Sequence, residues 1–292
     1  MTQQLANGLF SGAIYSLFAI GFTLVFGILR HLNLAHAAIF TGGAFLGIEL
    51  AEETGLPIWV VFILVIVAGS LVGVLLEYTA FRPLAGRRDE HFAGLISSVA
   101  FGGMLLALLQ ARYGTEPAGF PSGAFPTDVY VIGDITVSFA QLTTLGAALV
   151  LMLGLAWMVA RTGAGRAMRT VAENPQAARV VGINVTRVTA GTYALSSALG
   201  AMAGMLMALN VGQADRGMGL SIELMAFAVI ILGGMGSLWG AMAAGIVLGL
   251  AEALTVQLLD SSWKEVVAFA VLFIILLVRP QGLFGTLKAR VV

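Results

Sequence analysis

Cysteine is absent from the 292 residues, so neither a disulfide nor a thiolate metal site can form. Lysine is almost absent. Lys264 and Lys288 are the two, and neither ends a glycine-rich phosphate loop, so there is no Walker A motif and the chain does not hydrolyse ATP alone. His-Glu-x-x-His and Gly-x-Ser-x-Gly are also missing. His31, His36 and His91 lack metal-ligand spacing, because His31 and His36 would not share one face of a helix. An integral membrane enzyme therefore has no nucleophile–base pair or metal constellation to rest on. Charge is scarce too: 10% of residues are charged, in equal numbers of each sign. No nucleic-acid partner is expected.

What is present is apolar. Hydrophobic residues make up 59% of the chain, and the mean hydropathy is +0.97. A water-soluble domain of this length needs far less apolar surface, so the class is an all-α polytopic membrane protein. A transmembrane barrel would alternate apolar and polar residues, whereas here the apolar runs are continuous. The 37 glycines suit close helix packing in lipid. The first apolar run has no basic segment before it and no small-residue cleavage site, and reads as a retained span rather than a signal peptide.

The apolar segments are Leu5–Ile28, Ala35–Ala51, Pro57–Phe81, Phe92–Ala111, Phe139–Ala160, Val188–Leu209, Ile222–Leu232, Leu238–Leu258 and Val266–Val278. This predicts about eight or nine membrane helices. All seven prolines fall at segment ends or in loops, where a missing N–H costs little. One helix from Ile222 to Leu254 would be about 50 Å long, too long for a bilayer core of about 30 Å. It must break, and "GGMGS" at Gly233–Ser237 is the evident place. Ile222–Leu232 is then short and reads as a half-helix that reverses within the protein.

Basic residues set the orientation. With the N-terminus outside, inner segments hold twelve arginines and lysines: Arg30; Arg82, Arg87 and Arg88; Arg161, Arg166, Arg169, Arg179 and Arg187; and Arg279, Lys288 and Arg290. Outer segments hold three, namely Arg112, Arg216 and Lys264. A single transmembrane domain, 1–292, is expected, with residues 112–138 forming a periplasmic loop and 161–187 a cytoplasmic segment. Within the outer loop, "DVYVIGDITVS" reads as a small hairpin around Gly133-Asp134, with an irregular lid as the alternative.

Polar residues inside apolar runs are the candidate pathway. Asn7, Ser11 and Tyr15 recur every four residues and share a helix face. They are either interhelical hydrogen-bonding groups or a polar stripe along a solute path, and Ser97, Ser98, Ser196, Ser197 and Asn210 carry the same two readings. "RHLNLAHAAIF" interrupts the first two segments. Its Asn33 and His36 fit either a membrane-surface turn or a helix break at depth that presents backbone groups to a solute. Glu252 lies within an apolar segment, where a carboxylate faces the bundle interior with a partner, as a structural group or a proton relay.

One polar stretch is punctuated like a soluble helix. In "AENPQAARVVGINVTRV", Asn174 suits an N-cap, Pro175 the first helical position and Gly182 the left-handed position past the end. Upstream, "GRAMRTVAE" forms another short helix. Ala177 and Ala178 leave a surface that a neighbouring protein can approach, so the helix either docks into something cytoplasmic or lies on anionic lipid. On the docking reading, arginine at position 178 breaks the contact and leaves the fold intact.

Three long motifs carry a resemblance over nearly the whole chain. They are "GLFSGAIYSLFAIGFTLVFGILRHLNLAHA", "RTGAGRAMRTVAENPQAARVVGINVTRV" and "VIILGGMGSLWGAMAAGIVLGLAEAL". In these the sequence resembles the LivH-type permeases, membrane subunits of ABC importers for branched-chain amino acids in the bacterial inner membrane. The middle motif is similar to the Glu-Ala-Ala-x-x-x-Gly element of importer permeases, with Gln176, Ala177, Ala178 and Gly182 at its spacing and glutamine in place of the usual glutamate. The resemblance implies a coupling helix that meets an ATPase through Glu173, Asn174, Pro175, Ala177, Ala178 and Gly182. It also implies a path lined by Asn33 and His36, since Asn33-Leu34-Ala35-His36-Ala37 matches the family's Asn-Phe-Ala-His-Gly. Implied partners are a homologous second, LivM-like permease, two ABC ATPases holding ATP and Mg, an external solute-binding protein and membrane lipid, with no cofactor on this chain. The reading from another class is a self-contained ion-coupled secondary transporter with Glu252 as proton carrier.

Overall fold

The computed structural model describes all residues except Arg88, Ser122, Ala124, Asp134, Pro280 and 285–292. The inner charges expected at Arg88, Lys288 and Arg290, and Asp134 of the expected hairpin turn, lie outside the described residues. The described chain is helical: α1 (Thr2–Leu29), α2 (His36–Glu53), α3 (Ile58–Leu76), α4 (Glu90–Tyr113), α5 (Phe139–Arg161), α6 (Gly163–Glu173), α7 (Pro175–Val180), α8 (Val185–Val211), α9 (Met218–Gly233), α10 (Leu238–Leu258) and α11 (Lys264–Val278). Seven of these are long and apolar enough to cross a membrane, while α2 and α9 are shorter or less apolar and complete the bundle.

Glycine sets how closely the helices approach. α10 runs antiparallel along α1, with Gly8 against Gly249 and Ala253, Gly12 against Gly245, and Gly27 beside Gly236. The Ser16 hydroxyl donates to the Met242 carbonyl at 2.8 Å across the same seam. α2 packs alongside α8, where a Cβ on Gly204 would coincide with the Phe40 carbonyl and one on Gly43 with that of Ala201. Without a hydrophobic force between helices in lipid, such close backbone contact is what holds a bundle together. α1, α2 and α8 form the buried centre. α3, α4, α5 and α11 turn Leu71, Leu108, Trp157 and Leu277, among others, outward. α3 ends in a π turn, Glu77–Phe81, and a 3₁₀ turn, Arg82–Leu84, where buried Glu77 takes a two-pronged contact from Arg82 at 2.6–3.1 Å.

Ile222–Leu232 is part of a short helix, as expected, and the α1–α10 register corrects only the expectation that it turns back. Taking as inner the side that the basic residues predict, Gly236 lies at the Leu29 end of α1 and Ala253 at its Thr2 end, so α9 finishes at that inner side and does not reverse within the protein. It is about 24 Å long because the chain enters from outside as a non-helical stretch, 212–217. The expected hairpin is present: β2 (Val129–Ile132) pairs antiparallel with β3 (Ile135–Ser138), and Gly133 takes φ +63° in the turn. A second strand pair has no sequence signal. β1 (Ala118–Gly119) pairs with β4 (Gln213–Ala214), tying the long outer loop to the end of α8.

Candidate functional site

The polar interruption after α1 is a break at depth and not a surface turn. Arg30 closes α1 in the left-handed region at φ 56°, the one such non-glycine among the described residues. The chain then climbs back into the bundle. His36, the first residue of α2, is 0% exposed, and its Nε2 donates to the Phe18 carbonyl at 3.3 Å. Phe18 is eleven residues from the end of α1, so His36 sits about 16 Å inside that end. The imidazole meets the Phe18 ring at 4.5 Å and fits a cradle made by Gly21 and Gly200, where added methyls would lie 3.0 and 2.6 Å from its Cε1. Asn33 Oδ1 accepts from the Ala35 N–H at 3.2 Å, and the Leu34 N–H donates to Ser98 Oγ at 3.2 Å. Asn33 Nδ2, His36 Nδ1 and Ser196 Oγ are buried with no hydrogen-bond partner among the described residues. Buried polar atoms are rarely left so, and these three lie at or beside the helix break.

At the inner mouth of the break, His31 stacks on Phe81 at 5.3 Å, with Nδ1 3.1 Å from the Tyr193 hydroxyl and Nε2 3.5 Å from Glu90. Burial lowers the His31 pKa below its ordinary value, and the Glu90 carboxylate opposes that shift.

The other polar residues divide into two groups. Asn7 accepts from Gln3 at 3.3 Å and Gln141 at 3.4 Å, and Gln3 bonds the backbone of Thr136 in β3. Asn7 therefore belongs to a knot between α1, α5 and the hairpin, the interhelical alternative. Tyr15 points elsewhere: its hydroxyl donates to Glu252 Oε2 at 2.6 Å, and Glu252 Oε1 lies 3.0 Å from Lys264 Nζ. These three line a cavity of about 380 Å³ near the outer end of α10. Ser11 and Ser97 are half-buried and enter none of these bonds.

On the inner side, the capped helix is built as its sequence implies. Asn174 Oδ1 accepts from the Gln176 and Ala177 N–H groups at 2.9 and 3.0 Å. Gly182 takes φ +83°, and the Ile183 and Gly182 N–H groups return to the Ala178 and Arg179 carbonyls at 2.9 and 3.1 Å, a Schellman end. α6 is held to α5 by Thr162, which caps it, and by Arg169, which donates to the Val159 carbonyl. Ala178 corrects the surface reading. It is 0% exposed and packs against its own chain, so it is not presented to a partner. The outward face carries Glu173, Asn174, Pro175, Gln176 and Ala177 and ends in Val180 and Val181, which are 88% and 70% exposed. Two bare valines on a fully capped surface helix are the feature that sequence reasoning missed. A cavity of about 550 Å³ lies between α6 (Arg169, Ala172), the inner end of α1 and the Gly236–Trp239 turn.

The family described as "Branched-chain amino acid transport system / permease component" matches residues 4–276, and the chain belongs to it. It is 33% identical to the high-affinity branched-chain amino acid transport system permease protein BraD of Pseudomonas aeruginosa, over 97% of this chain and 95% of that one. It is equally similar to the corresponding protein LivH of Escherichia coli K12, at 33% over 97% and 95%. The fold is also that of PsaBC from Streptococcus pneumoniae, solved in complex with a Fab, with a TM-score of 0.50 and 14% identity over 94% of this chain and 91% of that one. Family and helices together make it a multi-pass protein of the inner (plasma) membrane.

Proposed function

We propose that this chain is the transmembrane permease subunit of an ATP-driven importer that moves branched-chain amino acids across the inner membrane. It works with a homologous second permease, two cytoplasmic ATPases holding ATP and Mg, and an external solute-binding protein. The observation that carries this is near-full-length similarity, at 33% identity, to two permease proteins named for high-affinity branched-chain amino acid transport.

The geometry supports a mechanism. Residues 161–187 are the cytoplasmic coupling segment, and α7 with its exposed valines is the element an ATPase grips. α6 is locked to the end of α5, and α8 begins four residues after Val181, so a displacement of α7 is passed to both helices. α8 carries Gly200 and Ser196, which pack on His36 and on Gly21 of α1. Movement of α8 thus shifts the cradle of His36 and opens the break around Asn33, where unpartnered groups bind and release a passing solute weakly. This chain supplies the path, and ATP is hydrolysed on the partner subunits.

The test is uptake by the complex reconstituted with its partner subunits, measured for leucine, isoleucine, valine, glutamine, urea and phenylalanine. ATP-dependent uptake of the first three is expected. Uptake driven by an ion gradient without ATP, or of none of the three, contradicts the proposal.

A further inference from the structure

From the outer cavity we infer a second, zwitterion-binding site, an entry site where an amino acid is held by both of its charged groups before it reaches the break. This rests on the transport reading above and adds to it the place and chemistry of first contact.

The cavity is built from two unlike walls. On one, Glu252 and Lys264 offer one charge of each sign, 3.0 Å apart, and the Glu265 carboxylate also lines the cavity. On the other stand Met207, Ile222 and Met225. The Glu252 side chain is 12% exposed and that of Lys264 40%, so the carboxylate sits inside and the ammonium at the rim. Tyr15 fixes the carboxylate by donating to Oε2 at 2.6 Å and leaves Oε1 facing Lys264. A pair serving only to staple α10 to α11 needs no open space beside it. This one lies on the wall of a cavity of about 380 Å³, within the range of small-molecule sites.

The ligand chemistry follows. An α-amino acid carries an ammonium and a carboxylate on one carbon. Inserted at the pair, its ammonium takes Glu252 Oε1 and its carboxylate takes Lys264 Nζ, giving a closed ring of alternating charge with no net change. Its side chain then faces two methionines and an isoleucine. The thioethers are unbranched and adaptable, so this wall accepts several apolar shapes. A solute with only one charge would leave one member of the pair unmatched in a half-buried place, which is costly.

The absence of native cysteine makes the test clean. Ser221 lines the cavity and is exposed, so Ser221→Cys can be labelled with an impermeant maleimide in the full chain in lipid nanodiscs. L-Leucine at about ten times its dissociation constant should slow labelling about tenfold, because labelling tracks the unoccupied fraction. Isocaproate, which lacks the ammonium, and isoamylamine, which lacks the carboxylate, should not protect. Lys264→Gln should abolish protection by leucine, and Lys264→Arg should keep it. Failure of leucine to protect, equal protection by either analogue, or protection that survives Lys264→Gln each overturns the site. Uptake by the reconstituted transporter separates the two ideas. Uptake of leucine without protection removes the entry site and leaves the transport reading, whereas protection without uptake of any branched-chain amino acid does the reverse.

Discussion

Residues 174–183 satisfy their own backbone: Asn174 caps the first turn of α7, and Gly182 lets the last carbonyls be paired before the chain enters α8. Residues 30–36 do the opposite. They run from an exposed, left-handed Arg30 to a buried Asn33 and His36, whose Nδ2 and Nδ1 have no partner among the described residues. Both are polar interruptions between apolar helices. The first meets water and is built to stay fixed. The second is shielded by α1, α4 and α8, and its unmet groups are stable only because the surrounding glycine seams are tight. On the proposed function, the first serves as a rigid lever and the second as a poised gap.

The comparison breaks most severely if the seams open. Gly204→Leu should abolish folded protein, because even the first side-chain carbon would overlap the Phe40 carbonyl. Gly103→Leu, where nothing stands within 4 Å, should be tolerated. Membrane yield and monodispersity in detergent measure both. The next largest effect separates gap from lever. Asn33→Ala and His36→Ala should assemble with the ATPases and lose at least about tenfold in uptake, a change of about 1.4 kcal/mol or more in effective transport barrier. Asn174→Ala should cost about 1 kcal/mol of helix stability and lower solute-stimulated ATP hydrolysis only partly. Normal uptake in both gap variants removes the break from the path.

These two regions also mark how far the sequence was legible. Cap chemistry is local: asparagine, proline and glycine at fixed offsets specify α7 wherever it sits, and it was readable to within a residue. Depth is not local. Whether Asn33 and His36 lay at the surface or inside depended on Gly21 and Gly200 making room for an imidazole, a contact between segments far apart in the chain. Ala178 failed for the same reason. Which side of a two-turn helix faces home is set by how α6 docks on α5, so the exposed pair is Val180 and Val181. Lys264 was counted only as an outer charge because its partner, Glu252, lies across the Asp260–Trp263 turn. The course of α9 depended on the α1–α10 register and could not be read from its length.

The smallest expected effect concerns His31, at the inner mouth of the gap. Its folded pKa is lowered by burial, so the unfolded chain binds more protons as pH falls. The neutral form's contribution to stability is fully present above the ordinary imidazole pKa of about 6.5 and is lost as pH falls below it. Thermal unfolding of the purified chain should show a modest loss on acidification that His31→Asn reduces. An unchanged pH slope in that variant assigns the loss to other groups.

The coupling role of α7 is tested most directly at its two bare valines. Val180→Glu with Val181→Glu adds charge where both side chains already face outward, so folding and membrane insertion should be unchanged. In the reconstituted complex, ATPase retention and solute-stimulated ATP hydrolysis should fall together to background, as expected when unpaired charge is forced into a docking surface. Wild-type retention and turnover in that variant would contradict the account, because α7 would then not be the lever through which ATP hydrolysis drives the path.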